Sequence, residues 1–183
     1  MDDKEMVSRV AGGDELAYRQ FIKQYERLVM HIIIRIIDDP NDREEVVQDV
    51  FVRAIDKIGS FGFQSKLSTW VATIAYRHAL NVAKKNKKWN EMQDLDQVAF
   101  KEGALVPGFE QEDINRFVHK AIDQLPLPYR SILTMYHLDG FSYPEIVEMT
   151  KMPEGTVKNY LFRARKKLKE LLEPFVEKEV LLG

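Results

Sequence analysis

Cysteine is absent from all 183 residues, so the chain has no disulfide framework and no thiol nucleophile, which fits a reducing cytosol. Long apolar runs are absent too. Even HIIIRII, His31 to Ile37, falls well short of the roughly 20 apolar residues that cross a bilayer, and Arg35 interrupts it. The first residues, MDDKEMVSRV, are charged, and the expectation is a soluble, cytoplasmic protein with no membrane insertion. Histidine is sparse: His31, His78, His119 and His137 stand singly, with no His-x-x-x-His pair, and there is no glycine-rich phosphate loop. The paired carboxylates Glu44 and Glu45 occupy adjacent positions and diverge around a helix. Nothing meets the geometric roles of a catalytic site, so the chain is expected to be no enzyme and to hold neither metal nor cofactor. No alternating strand pattern and no tandem repeat appears, which leaves an all-helical chain.

A basic excess is also lacking. Lys and Arg number 27 against 29 Asp and Glu, a net charge of -2, whereas a free-standing DNA binder usually carries a clear positive balance. The charges are nevertheless segregated. Basic residues collect at Lys84, Lys85, Lys87 and Lys88 and again from Lys158 to Lys169, while acidic ones collect around Asp38 to Asp49 and from Glu91 to Asp113. Two positive footprints imply two contacts with nucleic acid, and the near-neutral total implies weak binding unless a partner contributes.

The stretch from Leu125 to Leu172 carries the strongest pattern: three helices, the last two forming a helix-turn-helix. Ser142-x-x-Glu145 makes a capping box with Pro144 in the first turn, and Ile146, Val147 and Met149 supply the apolar face. After a short turn at Thr150 to Met152, Pro153 and Gly155 open a helix with Val157, Leu161, Ala164, Leu168 and Leu171 facing inward. Outward lie Lys158, Asn159, Phe162, Arg163, Arg165, Lys166 and Lys169, side chains that read base edges and neutralise phosphates. A lone basic helix is as compatible with a solvated surface, but the tight two-helix spacing favours a recognition helix.

Upstream, Asp14 to Ile37 forms a long helix whose apolar stripe includes Leu16, Phe21, Tyr25, Val29, Ile33 and Ile36. Asp38-Asp39-Pro40 ends it, and Asn41 opens the next with Glu44 three residues on. That helix buries Val46, Val47, Val50, Phe51, Ala54, Ile55 and Ile58 and exposes Glu45, Gln48, Asp49, Val52, Arg53 and Asp56, a face that suits either solvent or a partner. The loop GSFGFQSKLS holds two phenylalanines beside Gln64, Ser65 and Lys66, which serve either as anchors of the loop or as a platform for an unstacked base. A third helix, Ser68 to Asn86, turns Trp70, Val71, Ile74, Ala75 and Val82 inward and Arg77, His78, Asn81, Lys84 and Lys85 outward. Residues 89–108 are acidic, weakly periodic and broken by Pro107, as in a linker, and a further helical face runs from Ile114 to Leu125.

Three motifs, DREEVVQDVFVRA (Asp42 to Ala54), FQSKLSTWVATIA (Phe63 to Ala75) and the Leu125 to Leu172 stretch, together resemble the extracytoplasmic-function (ECF, group IV) sigma factors of the sigma-70 family over nearly the whole chain. The resemblance implies two small helical domains joined by a flexible linker: region 2 over residues 8–90, a linker over 91–109 and region 4, the helix-turn-helix, over 110–183. It implies a non-enzymatic promoter-specificity subunit of RNA polymerase. Gln48, Asp49, Val52, Arg53 and Asp56 would face the clamp of the largest subunit, with the flap as a further contact. Phe63, Lys66, Arg77, Asn81, Lys84 and Lys85 would engage the -10 element, and Thr156, Lys158, Asn159, Phe162, Arg163, Arg165 and Lys166 the -35 element. An anti-sigma factor is a further implied partner. The chain departs from the family where Arg77 replaces the usual Asn, Asn81 the usual Asp, Lys151 the usual turn glycine and Pro153 the usual serine cap. Read without the resemblance, the C-terminal half also fits a free-standing dimeric helix-turn-helix regulator, which would leave the N-terminal helical half unexplained.

Overall fold

A computed structural model of the protein describes residues 2–85 and 111–182, with side chains for 2–85 and 117–173. Every regular element among the described residues is helical. The chain begins with α1 (Asp3–Ala11), α2 (Glu15–Ile34), α3 (Pro40–Lys57) and α4 (Leu67–Lys85), a short 3-10 turn (Ile58–Ser60) lying between the last two. After the linker come α5 (Gln111–Asp123), α6 (Leu127–His137), α7 (Tyr143–Thr150) and α8 (Glu154–Leu182).

Helix α1 was not anticipated. Its nine residues bury Met6, Val7 and Val10, so the first helical body reaches back beyond residue 8. Asp14 ends the intervening turn by capping α2, accepting from the N–H groups of Leu16 and Ala17 at 2.9 and 3.2 Å. Arg9 clasps the same carboxylate at 2.7 Å, and that hydrogen bond is the main reason its pKa is lowered. Leu16 itself, expected in the apolar stripe, is 62% exposed because the buried face begins at the next residue, Ala17, and continues at Phe21.

The start of α3 also differs from expectation. Asp39, not Asn41, is the cap: its side chain accepts from the Asn41 N–H, and Pro40 takes the first helical position, where a missing donor is harmless. Arg43 then reaches back to the Ile37 and Asp38 carbonyls at 2.8 and 3.0 Å and closes the α2–α3 link. Phe21, Val29, Ile33, Val50, Ala54, Ile58, Val71 and Ala75 fill the space among α2, α3 and α4, all at most 1% exposed or fully buried. Val47, Ile55, Trp70, Ile74 and Val82, expected inside, pack only against its edge.

In the C-terminal half, α6, α7 and α8 wrap around Tyr129, Ile132, Ile146, Met149, Val157, Leu161 and Ala164, each fully buried. The capping box of α7 forms as read from sequence, the Ser142 N–H donating to Glu145 Oε2 at 2.8 Å. Lys151 closes α7 in the left-handed region, φ 60°, its N–H donating to the Val147 carbonyl at 2.8 Å. Leu168 and Leu171 are only partly buried, since α8 runs on past its partners.

The two halves dock. Helix α7 lies along α4, and α6 approaches the end of α2. As a result α4 is covered on more than one side, and Thr69, Ala72 and Tyr76 are as buried as the expected Val71 and Ala75.

Candidate nucleic-acid and partner interface

Three surfaces carry the residues singled out by sequence, and each is built differently. On α8, burial of Val157, Leu161 and Ala164 fixes the rotation of the helix, so Lys158, Asn159, Phe162, Arg163, Arg165 and Lys166 all turn to solvent and Thr156 is half-buried. Phe162 is 67% exposed, an unusual position for a phenylalanine unless something covers it in a complex. Lys158 is held by Glu154 one turn back at 2.6 Å and sits 5.5 Å over the Tyr143 ring of α7. Arg165 donates from Nε to His137 Nε2 at 3.0 Å and stacks over Tyr136 at 5.5 Å. Arg165 therefore ties α8 to α6, and the His137 pKa is lowered, first by burial and then by this guanidinium.

The second surface is the loop before α4 together with its polar side. Phe61 is buried against Trp70, ring centroids 5.4 Å apart, whereas Phe63, at φ 54°, leans on Phe61 at 4.8 Å and remains 47% exposed. Phe61 thus anchors the loop, and Phe63 stays exposed. Asn81, Lys84 and Lys85 are exposed along α4. Lys66 and Arg77 instead reach across to α7, Lys66 to Glu145 at 3.6 Å and Arg77 to two backbone carbonyls. Lys87, Lys88 and the acidic linker lie outside the described residues.

The third surface is the outer side of α3. Gln48, Asp49, Val52, Arg53 and Asp56 are exposed, with Val52 at 60%. Asp49 also bonds His78 of α4 at 3.0 Å. Burial and the nearby Arg53 nonetheless hold the His78 pKa below its usual value, outweighing the attraction of Asp49. Between α3 and α4 runs a cavity of about 180 Å³ lined by Arg53, Lys57, Thr73, Ile74, Arg77, His78 and Asn81. It joins the α3 and α4 sets into one basic groove, and Lys57, which no sequence signal marked, belongs to it.

A fourth feature was not legible from sequence. Val118, Ile122, Leu133, Leu138, Leu168 and Leu172 line an apolar groove of about 590 Å³ between α5, α6 and α8, rimmed by His137, Arg165, Lys169 and Glu173. Leu133, Leu168 and Leu172 sit on amphipathic helices and Leu138 just past the end of α6, and only the tertiary packing reveals that together they leave a trough.

Among the described residues no group of His, Cys, Asp and Glu is placed to hold a metal ion, and no helix is long and apolar enough to cross a membrane. Residues 21–90 match the family described as Sigma-70 region 2, and residues 118–168 match Sigma-70, region 4. The RNA polymerase sigma-H factor of Pseudomonas aeruginosa is 30% identical over 95% of each chain. The ECF RNA polymerase sigma-E factor of Escherichia coli K12 is 28% identical over 97% of this chain and 98% of its own. In structure, the sigma factor RpoE in its complex with the anti-sigma factor NepR from Bartonella quintana superposes with a TM-score of 0.63 at 26% identity, covering 85% of this chain and 96% of that one. CnrH, in complex with the cytosolic domain of CnrY, shares the fold at a TM-score of 0.67 and 18% identity, over 94% and 97% of the two chains. A helix-turn-helix with an outward basic face, a second helical body carrying its own basic groove, and these matched segments in the same order make this chain a member of the sigma-70 family of RNA polymerase sigma factors, in its ECF group.

Proposed function

We propose that the labour is divided among the three surfaces as follows: α8 reads the -35 element, the loop and polar side of α4 engage the -10 element, and the outer side of α3 docks on the polymerase clamp. The chain is an RNA polymerase sigma factor: it binds core polymerase, directs it to a two-part promoter and starts transcription. It does so by binding, without chemistry of its own, in the cytoplasm. The observation that carries the division is α8. Its apolar side is sealed by Val157, Leu161 and Ala164, which leaves Lys158, Asn159, Phe162 and Arg163 on the outward side, where a recognition helix meets the major groove.

The second contact has different physics. Unpairing and unstacking a base costs a few kcal/mol, which a presented aromatic such as Phe63 and hydrogen-bonding side chains such as Asn81 offset when the strand is captured. Lys84 and Lys85 follow on the same helix as phosphate contacts. A net charge of -2 gives little non-specific DNA affinity, so the polymerase must supply the remainder. Val52, in a mixed-charge surround on α3, suits the clamp, and the apolar groove beside α8 suits an inserted hydrophobic segment such as the flap. An anti-sigma factor is a further partner for the same surfaces.

The test is association of the purified protein with bacterial core RNA polymerase, followed by permanganate probing of unpaired thymines on a candidate promoter. Association with protein-dependent melting supports the assignment. Specific duplex binding by a dimer, with no affinity for core polymerase, would instead favour a free-standing regulator.

A further inference from the structure

The end of α6 builds a seat for one cation of α8. Arg165 donates from Nε to His137 Nε2 at 3.0 Å, and its guanidinium lies over the Tyr136 ring, 5.5 Å from the centroid. Tyr136 is itself braced from two sides: His137 stands edge-on to it, ring centroids 5.0 Å apart at 84°, and Tyr143 of α7 stacks on it at 5.0 Å and 29°. Tyr136 and Tyr143 are half-buried and pack against the core, so this aromatic shelf belongs to the scaffold.

The seat orients Arg165 without neutralising it. An imidazole accepts a hydrogen bond only through an unprotonated nitrogen, so the contact requires a neutral His137 with its proton on Nδ1. Burial, and after it the guanidinium itself, hold the His137 pKa below its usual value and keep the neutral form dominant at neutral pH. A neutral acceptor and a ring face leave the cation its full charge, whereas a carboxylate partner would cancel it. Lys158, seven residues or about two turns back along α8, shows the contrast: it lies over Tyr143 of the same shelf, but Glu154 pairs with it at 2.6 Å. At Arg165 the bond to His137 occupies Nε alone. Among the described residues no carboxylate pairs with Arg165, and both Nη groups keep their donors for an outside acceptor.

We propose that His137 and Tyr136 are positioning residues for promoter binding: given the assignment of α8 to the -35 element, they hold the Arg165 guanidinium as a preformed contact to a phosphate of the duplex beside the bases that α8 reads. A long arginine loses rotamer freedom when it grips a ligand, and fixing it in advance removes that cost from binding. With Nε taken by the imidazole, the two Nη groups form the fork that meets two phosphate oxygens. Such a contact carries no sequence information, but it sets the register of the helix in the groove. In a chain of net charge -2, each uncancelled cation on this side counts directly in the affinity and in its salt dependence.

Two measurements on the full-length protein test the assignment. NMR of the histidine ring nitrogens, without DNA and at neutral pH, should show His137 as the Nδ1–H tautomer, with a hydrogen bond at Nε2 that disappears in Arg165→Ala. Fluorescence titration from low salt upward, against a duplex carrying a candidate -35 element and a scrambled duplex of equal length, should show Arg165→Ala weakening both severalfold. The slope of log affinity against log salt should fall by about one. His137→Leu should reproduce most of both effects, His137→Gln, which keeps an acceptor, should restore most of both, and His137→Leu should add nothing once Arg165 is replaced by alanine. His137 lies at the exposed end of α6, so none of these changes should alter the fold. An imidazolium or an Nε2–H tautomer overturns the seat. Full duplex affinity in His137→Leu beside a weakened Arg165→Ala, or an added loss from His137→Leu in the Arg165→Ala background, overturns the positioning role. If Arg163→Ala, Arg165→Ala and His137→Leu all bind duplex like the unsubstituted protein, the assignment of α8 falls and the positioning role with it, while the NMR result still establishes the bond between His137 and Arg165.

Discussion

Thr69 and Glu145 are 76 residues apart in the chain and 2.8 Å apart in space, the hydroxyl of one helix donating to the carboxylate that caps another. That carboxylate works in two directions at once, since its other oxygen accepts from the N–H and the hydroxyl of Ser142. Burial alone would push the Glu145 carboxyl up. The hydrogen bonds from Ser142 and Thr69 and the nearby Lys66 outweigh it and bring the pKa from 4.5 down to about 2.

Acid should therefore loosen the protein through Glu145. A carboxyl whose pKa is lower in the folded than in the unfolded chain stabilises the fold above its ordinary value, and that contribution disappears as pH falls from 4.5 towards about 2. Urea unfolding between pH 7 and pH 2 should show stability falling over this window, and Glu145→Gln should flatten that limb. Equal slopes for the two proteins would remove Glu145 from the account.

Lys151 should be improvable. A lysine at φ 60° carries a penalty of about 1 kcal/mol that glycine escapes, partly offset by the greater freedom glycine has when unfolded. Lys151→Gly should thus raise stability by about 0.5 kcal/mol or somewhat more, and Lys151→Ala should not. Chemical denaturation of the three proteins distinguishes these outcomes.

Three changes on α8 should separate scaffold from reading. Leu161 is fully buried, so Leu161→Ala should cost about 2–5 kcal/mol of stability. Arg163→Ala, on the exposed side, should leave the thermal midpoint nearly unchanged while weakening -35 duplex binding by about 1–3 kcal/mol. Lys166→Ala should weaken all duplexes alike and reduce the slope of log affinity against log salt by about one. Titrations at several salt concentrations provide the readout, and none of the exposed changes should affect polymerase association.

Val52→Asp should do the reverse. At 60% exposure its replacement should change stability by no more than about 0.5 kcal/mol, yet a buried carboxylate in the clamp contact should lower polymerase affinity tenfold or more, about 1.4 kcal/mol. Competition against the unsubstituted protein for core polymerase measures it.

Much of this molecule is legible in its sequence, and the reasons are local. The capping box at Ser142 and the rotation of α8 each depend on residues within a turn or two of each other. The errors were local as well. The cap of α3 moved from Asn41 to Asp39 because Pro40 takes the first helical position, and Leu16 fell outside the stripe because the buried face begins at Ala17. Helix α1 is short and mostly polar, so its three buried residues are a weak periodic signal that only the packing surface of its neighbours makes meaningful.

What the sequence determined by itself is therefore the helices from α2 onward, the inner and outer sides of most of them, and the family. Periodicity encodes these, since an amphipathic helix must bury its apolar stripe whatever it meets. What only the tertiary structure decided is where those helices meet: that Arg77 caps α7, that Thr69 joins Glu145, that Arg53 and Arg77 share one groove, and that six apolar side chains leave a trough beside α8. Each is a contact between residues far apart in sequence, and a pattern with a period of 3.6 carries no information about the partner on the other side of the interface.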